Sequence, residues 1–362
     1  MLGKKLYLAL AIIGLGSAAA GAQTLGEKVG QVPVNAQVNT TEDAITNTPL
    51  AFSGGVTVLP DLTYASLSGY RELKLDLYLP PASFQAQGPR PLLVYVHGGG
   101  WAGGDRRHMS AYADWPKVLA SVAEHGYVVA AVEYRFSSEA PFPAQIQDVK
   151  SAIRWLRAHA DKYHIDPQRA MIWGQSAGGH LAGLEAVSCG AKDLEPAPPM
   201  QRPGEAPAAE SAAQEPSDCV QGAVVWFGVF DFTQLPQFAH PAAAQNAGGM
   251  GALLGCGSST PCSAEELKAR LAAISPVTYV TDKAPPILIM HGEVDHTVPI
   301  AQSQEFYDLL KSKGVRTEFI RVPDVGHSWI GPSGEVTSKA SNMALQKALD
   351  FIESVIGDKA AK

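Results

Sequence analysis

Residues 174–178 read Gly-Gln-Ser-Ala-Gly, between an apolar stretch, "AMIWG" (170–174), and a helix-forming one, "SAGGHLAGLEAV" (176–187). No other feature constrains the chain as much. G-x-S-x-G placed between a buried strand and a helix is a turn sharp enough to push a serine hydroxyl out at the end of a sheet. A hydroxyl is a weak nucleophile and needs a base beside it. Gly174 and Gly178 leave room where the backbone is crowded. The helix that follows points its first N–H groups at any negative charge forming near Ser176. In a plain glycine-rich turn the same five residues would do nothing, so the surroundings decide.

Those surroundings alternate strand and helix. Residues 56–58 and 73–79 alternate apolar and polar, as half-buried strands do. "PLLVYVHGGG" (91–100), "YVVAAVEYRF" (127–136), "VQGAVVWFGVFDF" (220–232), "PPILIMHG" (285–292) and "RTEFIRVP" (316–323) read as further strands. Ile146, Val149, Ile153, Leu156 and Ala160 recur at helical spacing, and 301–313 and 341–356 read as amphipathic helices. The expected class is α/β, a mostly parallel central sheet covered by helices on both faces. The catalytic domain is expected over 53–358. Within it, 192–217 is Pro/Ala/Glu-rich and reads as a disordered insertion, and 233–278 as a small cap.

His97-Gly98-Gly99-Gly100-Trp101 closes the strand that begins at Pro91. Attack on an ester carbonyl creates an oxyanion that needs fixed donors, and a glycine run lets backbone N–H groups face a pocket. Gly99, Gly100 and Ala177 are the expected donors. A serine on such an elbow is served by an acid and then a histidine further along the chain. His180 lies one helical turn past the serine, His240 falls in the cap and His291 reads as packing at a strand end. His327, on a glycine-containing loop after the last strand, is the expected base, with His296 its rival. Asp295, 32 residues earlier, is the expected acid, with Glu293 and Asp324 as alternatives. Trp101 and Phe232 are candidates to line an acyl pocket. Phe230 is as readily core.

Lys4 and Lys5, the apolar run Leu6–Leu15 and Ala20-Gly21-Ala22 have the form of a secretory signal over 1–22, followed by a polar, flexible lead-in over 23–52. The whole chain carries a net charge of −7. The first 22 residues hold two lysines and no acid, so their loss leaves −9. That balance, with no basic cluster, speaks against nucleic acid or an anionic membrane as partner. Four cysteines in an exported chain suggest two disulfides. Three pairings are possible, and Cys189–Cys219 with Cys256–Cys262 is favoured because each pair brackets one apparent loop.

Together these segments resemble the α/β-hydrolase superfamily and, more narrowly, the feruloyl/acetylxylan-type esterases of the BD-FAE-like group. The likeness runs from about residue 56 to 356. It rests on "LDLYLP", "PLLVYVHGGGWAGGD", the long segment from Val129 to Leu184, "SPVTYV", "PPILIMHGEVDHTVPIAQSQEFYDLL" and "VPDVGHSW". It implies Ser176, Asp295 and His327 as a triad, residues 97–101 with Ala177 as oxyanion hole, and hydrolysis of acyl esters without metal or organic cofactor. Hormone-sensitive-lipase-like esterases share the HGGG run but usually carry Asp where this chain has Gln175. A serine peptidase and a silent binding protein on the same scaffold are the other readings.

Overall fold

A computed structural model describes residues 48–196, 216–236, 240–242, 249–257 and 259–358. Nine strands form one sheet: β1 (Leu50–Ala51), β2 (Thr57–Ala65), β3 (Leu73–Leu79), β4 (Arg90–Val96), β5 (Val128–Val132), β6 (Ile165–Gln175), β7 (Gly222–Trp226), β8 (Ile287–Gly292) and β9 (Thr317–Val322). Their order is β1-β2-β3-β5-β4-β6-β7-β8-β9. The first three pair antiparallel, and everything from β5 to β9 is parallel.

All seven residues of β4 are buried, because the sheet is covered on both sides. Its pleat sends Leu92, Val94 and Val96 into one core and Leu93 and Tyr95 into the other. Helices α1 (Trp115–Glu124) and α7 (Gly334–Ile356) cover the second core. Helices α2 (Ala144–Ala158), α3 (Ala177–Val187) and α6 (Ala301–Ser312) cover the first. Between β7 and β8 lie the short α4 (Gly249–Leu253) and α5 (Ala264–Ile274), the latter opened by a Ser263/Glu266 capping box.

Several expected boundaries move. β7 stops at Trp226 rather than near 232, because Phe227 takes φ 38° and leaves the extended region. α7 begins at Gly334 rather than 341, where the Ser333 side chain accepts from the Val336 N–H. The end of the lead-in is part of the sheet: Leu50 pairs with Val58, and the Phe52 ring packs on Tyr78. The expected insertion is also shorter at its start. Leu194 is buried, and Glu195 pairs with Arg154. Residues 197–215, the signal at 1–22 and the lead-in up to 47 lie outside the described residues. Both favoured disulfides are formed, with Cα–Cα distances of 5.0 Å for Cys189–Cys219 and 5.3 Å for Cys256–Cys262.

Register then positions the site. Val96 pairs with Gly174, Gln175 with Trp226, and Gly292 with Val322. The loops after β4, β6, β8 and β9 therefore all leave from the carboxyl ends of parallel strands, where α/β sheets hold their ligands.

Candidate active site

Ser176 sits between β6 and α3 at φ 54°, ψ −120°, a conformation that a non-glycine residue holds only when its surroundings enforce it. Its N–H donates to the Trp226 carbonyl at 2.9 Å, and its own carbonyl accepts the His180 N–H at 2.9 Å. The flanking glycines are sterically required. A Cβ on Gly174 would lie 2.1 Å from the Gly178 carbonyl oxygen, and one on Gly178 would lie 2.1 Å from that of Val96.

His327 and Asp295 meet the serine. His327 Nε2 is 2.9 Å from Ser176 Oγ, and its Nδ1 is 2.8 Å from Asp295 Oδ2. The imidazole lies edge-on to Phe227, ring centroids 4.7 Å apart, and the fully buried Trp329 of the same short turn packs edge-on to Phe227, also at 4.7 Å. Asp295 has a fully enclosed side chain. Burial works against its ionisation. Hydrogen bonds from His291 and His327, with backbone N–H donors, outweigh that and hold the carboxyl well below the usual carboxylate range. The Thr297 and Val298 N–H groups both donate to Oδ1, at 2.8 and 2.9 Å. The rivals stand elsewhere. His296 and Asp324 are exposed, and Glu293 faces Arg321 at 3.2 Å.

The glycine loop lies alongside. Gly99 and Gly100 take φ 120° and 61°, and a Cβ on Gly99 would strike the Gly103 carbonyl oxygen at 2.1 Å. His97 is buried and stacked on Tyr134, and burial lowers its pKa to about 4. Its Nδ1–H donates to the Gly98 carbonyl at 2.7 Å, which fixes the Gly98–Gly99 peptide plane. Gly99, Gly100 and Ser176 line one cavity of about 340 Å³. Ala177 opens α3, where the first N–H groups lack intrahelical partners.

The rest of that cavity is Trp101, Ala102, Val229, Leu235, Met250, Thr297 and Val298, with no charged side chain. Leu235 and Met250 come from the segment between β7 and β8 that was expected to form a cap. Trp101 is a lining residue, as the sequence suggested. Phe232 is not: it is fully buried behind Trp101, ring centroids 5.4 Å apart. Phe230 is core, stacked on Phe306 at 4.4 Å. His291 is more than packing, since its Nε2 lies 3.2 Å from Asp295 Oδ2. Its i, i+4 spacing from Asp295 was the available signal. Against the glycine loop opens a larger cleft of about 730 Å³, its walls mixing Asp105, Arg107, His108, Asp114 and Gln175 with Met109, Tyr112 and Trp115. It shares Gly99 with the smaller cavity.

A mostly parallel sheet with serine, histidine and carboxylate gathered at its carboxyl edge defines an α/β-hydrolase. Within that class the chain belongs to the BD-FAE family, whose profile matches residues 75–310. A curated relative, the probable carboxylic ester hydrolase LipM of Mycobacterium tuberculosis, is 33% identical over 69% of this chain and 51% of its own length. The chain thus spans about half of that relative. Among solved structures, a truncated carbohydrate esterase from gut microbiota superposes with TM-score 0.63 and 27% identity, covering 82% of this chain and 95% of that one. Thermogutta terrifontis esterase 2, phosphoramylated by tabun, does so with TM-score 0.60 and 26% identity, covering 84% and 96%.

Proposed function

We propose that the protein is an exported serine carboxylesterase that hydrolyses acyl esters through an acyl-enzyme on Ser176. The observation that carries this reading is the unbroken hydrogen-bond line from Ser176 Oγ through His327 to Asp295. Ser176 attacks the ester carbonyl while His327 Nε2 takes its proton. The N–H groups of Gly99, Gly100 and Ala177 receive the oxyanion. His327 returns the proton to the departing alcohol, then draws one from the water that releases the acid. Asp295 stays ionised throughout, holding the imidazole in place.

The uncharged cavity suits the acyl part, a feruloyl or short acyl group. The larger cleft beside the glycine loop, which sets hydrogen-bonding side chains such as Asp105, Asp114 and Gln175 beside the aromatic Tyr112 and Trp115, suits a hydroxyl-rich alcohol part, such as a carbohydrate. The names borne by the BD-FAE family's relatives and neighbours, carboxylic ester hydrolase and carbohydrate esterase, support the same reading. Export to the periplasm or the medium is supported by the signal-like residues 1–22 and by two disulfides.

The test is turnover of p-nitrophenyl acetate, p-nitrophenyl butyrate and methyl ferulate by residues 23–362, beside Ser176→Ala and Asp295→Asn. Turnover lost in Ser176→Ala, and cut by about 10⁴ in Asp295→Asn, is expected. Full turnover by Ser176→Ala, or none by the wild type, would overturn the proposal. Ferulate turnover would mark the feruloyl preference, and turnover of acetate and butyrate alone would exclude it.

A further inference from the structure

The hydrogen-bond line does not stop at Asp295. His291, the fifth residue of β8, is fully enclosed. Its Nε2 lies 2.9 Å from the Val298 carbonyl and 3.2 Å from Asp295 Oδ2, and its Nδ1 lies 2.7 Å from Ser303 Oγ on α6. Two oxygens that can only accept face Nε2, so that nitrogen carries the proton. Nδ1 then accepts from the Ser303 hydroxyl, which fixes the tautomer.

This arrangement completes the coordination of the acid. Asp295 Oδ1 takes two backbone N–H bonds, and Oδ2 takes His327 and faces the His291 Nε2–H at 3.2 Å, a proton that also meets the Val298 carbonyl at 2.9 Å. A carboxylate offers about four lone-pair positions, and each faces an N–H group. The two N–H groups on Oδ1 anchor one oxygen but leave the carboxylate plane free to turn about it. A second donor on Oδ2 sets that plane and aims the remaining lone pair at His327. The side chain is fully enclosed, so the groups packed around it set its orientation.

We propose that His291, held by Ser303, is a positioning residue of the reaction, acting on Ser176 and His327 through Asp295. The proposal rests on the ester-hydrolase reading above. A packing role would need only the ring's volume. A positioning role needs a donor at the place of Nε2.

Three variants separate the two: His291→Phe keeps the ring without a donor, His291→Gln puts an amide N–H near the place of Nε2, and His291→Asn puts one near Nδ1. For p-nitrophenyl butyrate, kcat of His291→Phe is expected to fall about 10- to 100-fold, as when an orienting partner is removed, with KM within about twofold. His291→Gln is expected to recover kcat to about tenfold above His291→Asn. Thermal melting identifies folded variants. Wild-type kcat in folded His291→Phe overturns the proposal. If His291→Phe does not fold, equal kcat in folded His291→Gln and His291→Asn overturns it as well. Ser176→Ala and Asp295→Asn run beside them: activity surviving there overturns the triad reading instead, so the two failures are distinct.

Discussion

The indole N–H of Trp101 donates to Nδ1 of His180 at 3.0 Å, and the opposite ring nitrogen of His180 donates to the Ile274 carbonyl at 2.8 Å. Burial lowers the His180 pKa to about 4, so the ring is neutral at pH 7 and can accept from the indole. A histidine one turn past Ser176 thus holds a lining residue of the smaller cavity. Trp101→Ala should extend that cavity toward His180 and Phe232. Its expected cost is about 3–5 kcal/mol of stability, as for other large aromatic truncations. Relative kcat/KM should shift by at least about tenfold from acetyl toward octanoyl esters, since a single methylene admitted to an apolar pocket already carries a factor of that order. A p-nitrophenyl ester series on the folded variant decides. An unchanged chain-length profile would show that the indole does not bound the acyl group.

Gly99 and Gly100 both have positive φ, but only Gly99 is crowded. A methyl at 99 would sit 2.1 Å from the Gly103 carbonyl oxygen, whereas nothing lies within 4 Å of one at 100. Gly99→Ala must therefore displace the loop and its N–H groups. Its kcat is expected to fall about 10²- to 10³-fold, the usual effect of losing one oxyanion donor. Gly100→Ala meets only the left-handed backbone cost of about 1 kcal/mol, and its kcat should stay within about tenfold of wild type. Steady-state kinetics on the two variants makes the comparison, and equal losses would argue against it.

Much of this site is readable in sequence because each residue type follows from local requirements. Gly174 and Gly178 mark the elbow through sterics that any chain must obey. Asp295 and His327 were placed by their order after successive apolar strands, and the structure brings both to Ser176. What sequence hid was set by distant contacts. Phe232 has the composition of a pocket residue, but only the packing of Trp101 and His180 shows that it lies behind the wall. His291 reads as a strand-end histidine until Ser303, twelve residues on, fixes its ring. The early ends of β7 and the early start of α7 come from one positive φ and one serine cap, signals too small for a hydrophobic pattern to carry.

Beneath the Cys189–Cys219 bridge, Lys150 Nζ is fully enclosed, 3.1 Å from Glu185 Oε2 and 2.5 Å from Asp218 Oδ2. Burial pushes Glu185 up to about 7, the Asp218 charge adds to this, and Lys150 opposes it. Asp218 keeps its charge, held below its ordinary value against its own burial by Lys150 and Arg154. Between the ordinary glutamate pKa and about 7 the folded chain retains a proton that the unfolded chain releases. Stability from this group is therefore full below that window and declines as pH rises through it. Glu185→Gln should remove the decline. Denaturant unfolding at pH 5.5 and 8 is expected to show the variant near wild type at the lower pH and more stable than wild type at the higher. Lys150→Met, which leaves Asp218 to Arg154 alone in a buried cluster, should cost about 3–5 kcal/mol at either pH. A wild-type slope surviving in Glu185→Gln would assign it to other groups.

The two disulfides differ in what they close. Cys189–Cys219 spans 30 positions and Cys256–Cys262 only 6, so chain entropy assigns about 3–4 kcal/mol to the first and about 2 kcal/mol to the second. Their links to the site run in the opposite order. The segment before Cys256 is tied to the body by the Leu253 carbonyl, which accepts the Phe142 N–H at 2.8 Å, and to α5 by the Leu254 carbonyl, which accepts from Arg270 at 2.6 Å. Met250, one helical turn earlier, lines the cavity beside Ser176. Paired Ser replacements at 189 and 219 should thus lower the melting temperature more and leave ester kinetics near wild type. The same replacements at 256 and 262 should lower it less but raise KM for butyrate esters, because binding shared by ground and transition states is lost when a cavity wall loosens. Melting curves and KM values on both double variants test the assignment. Unaltered KM in the second pair would separate that bridge from the site.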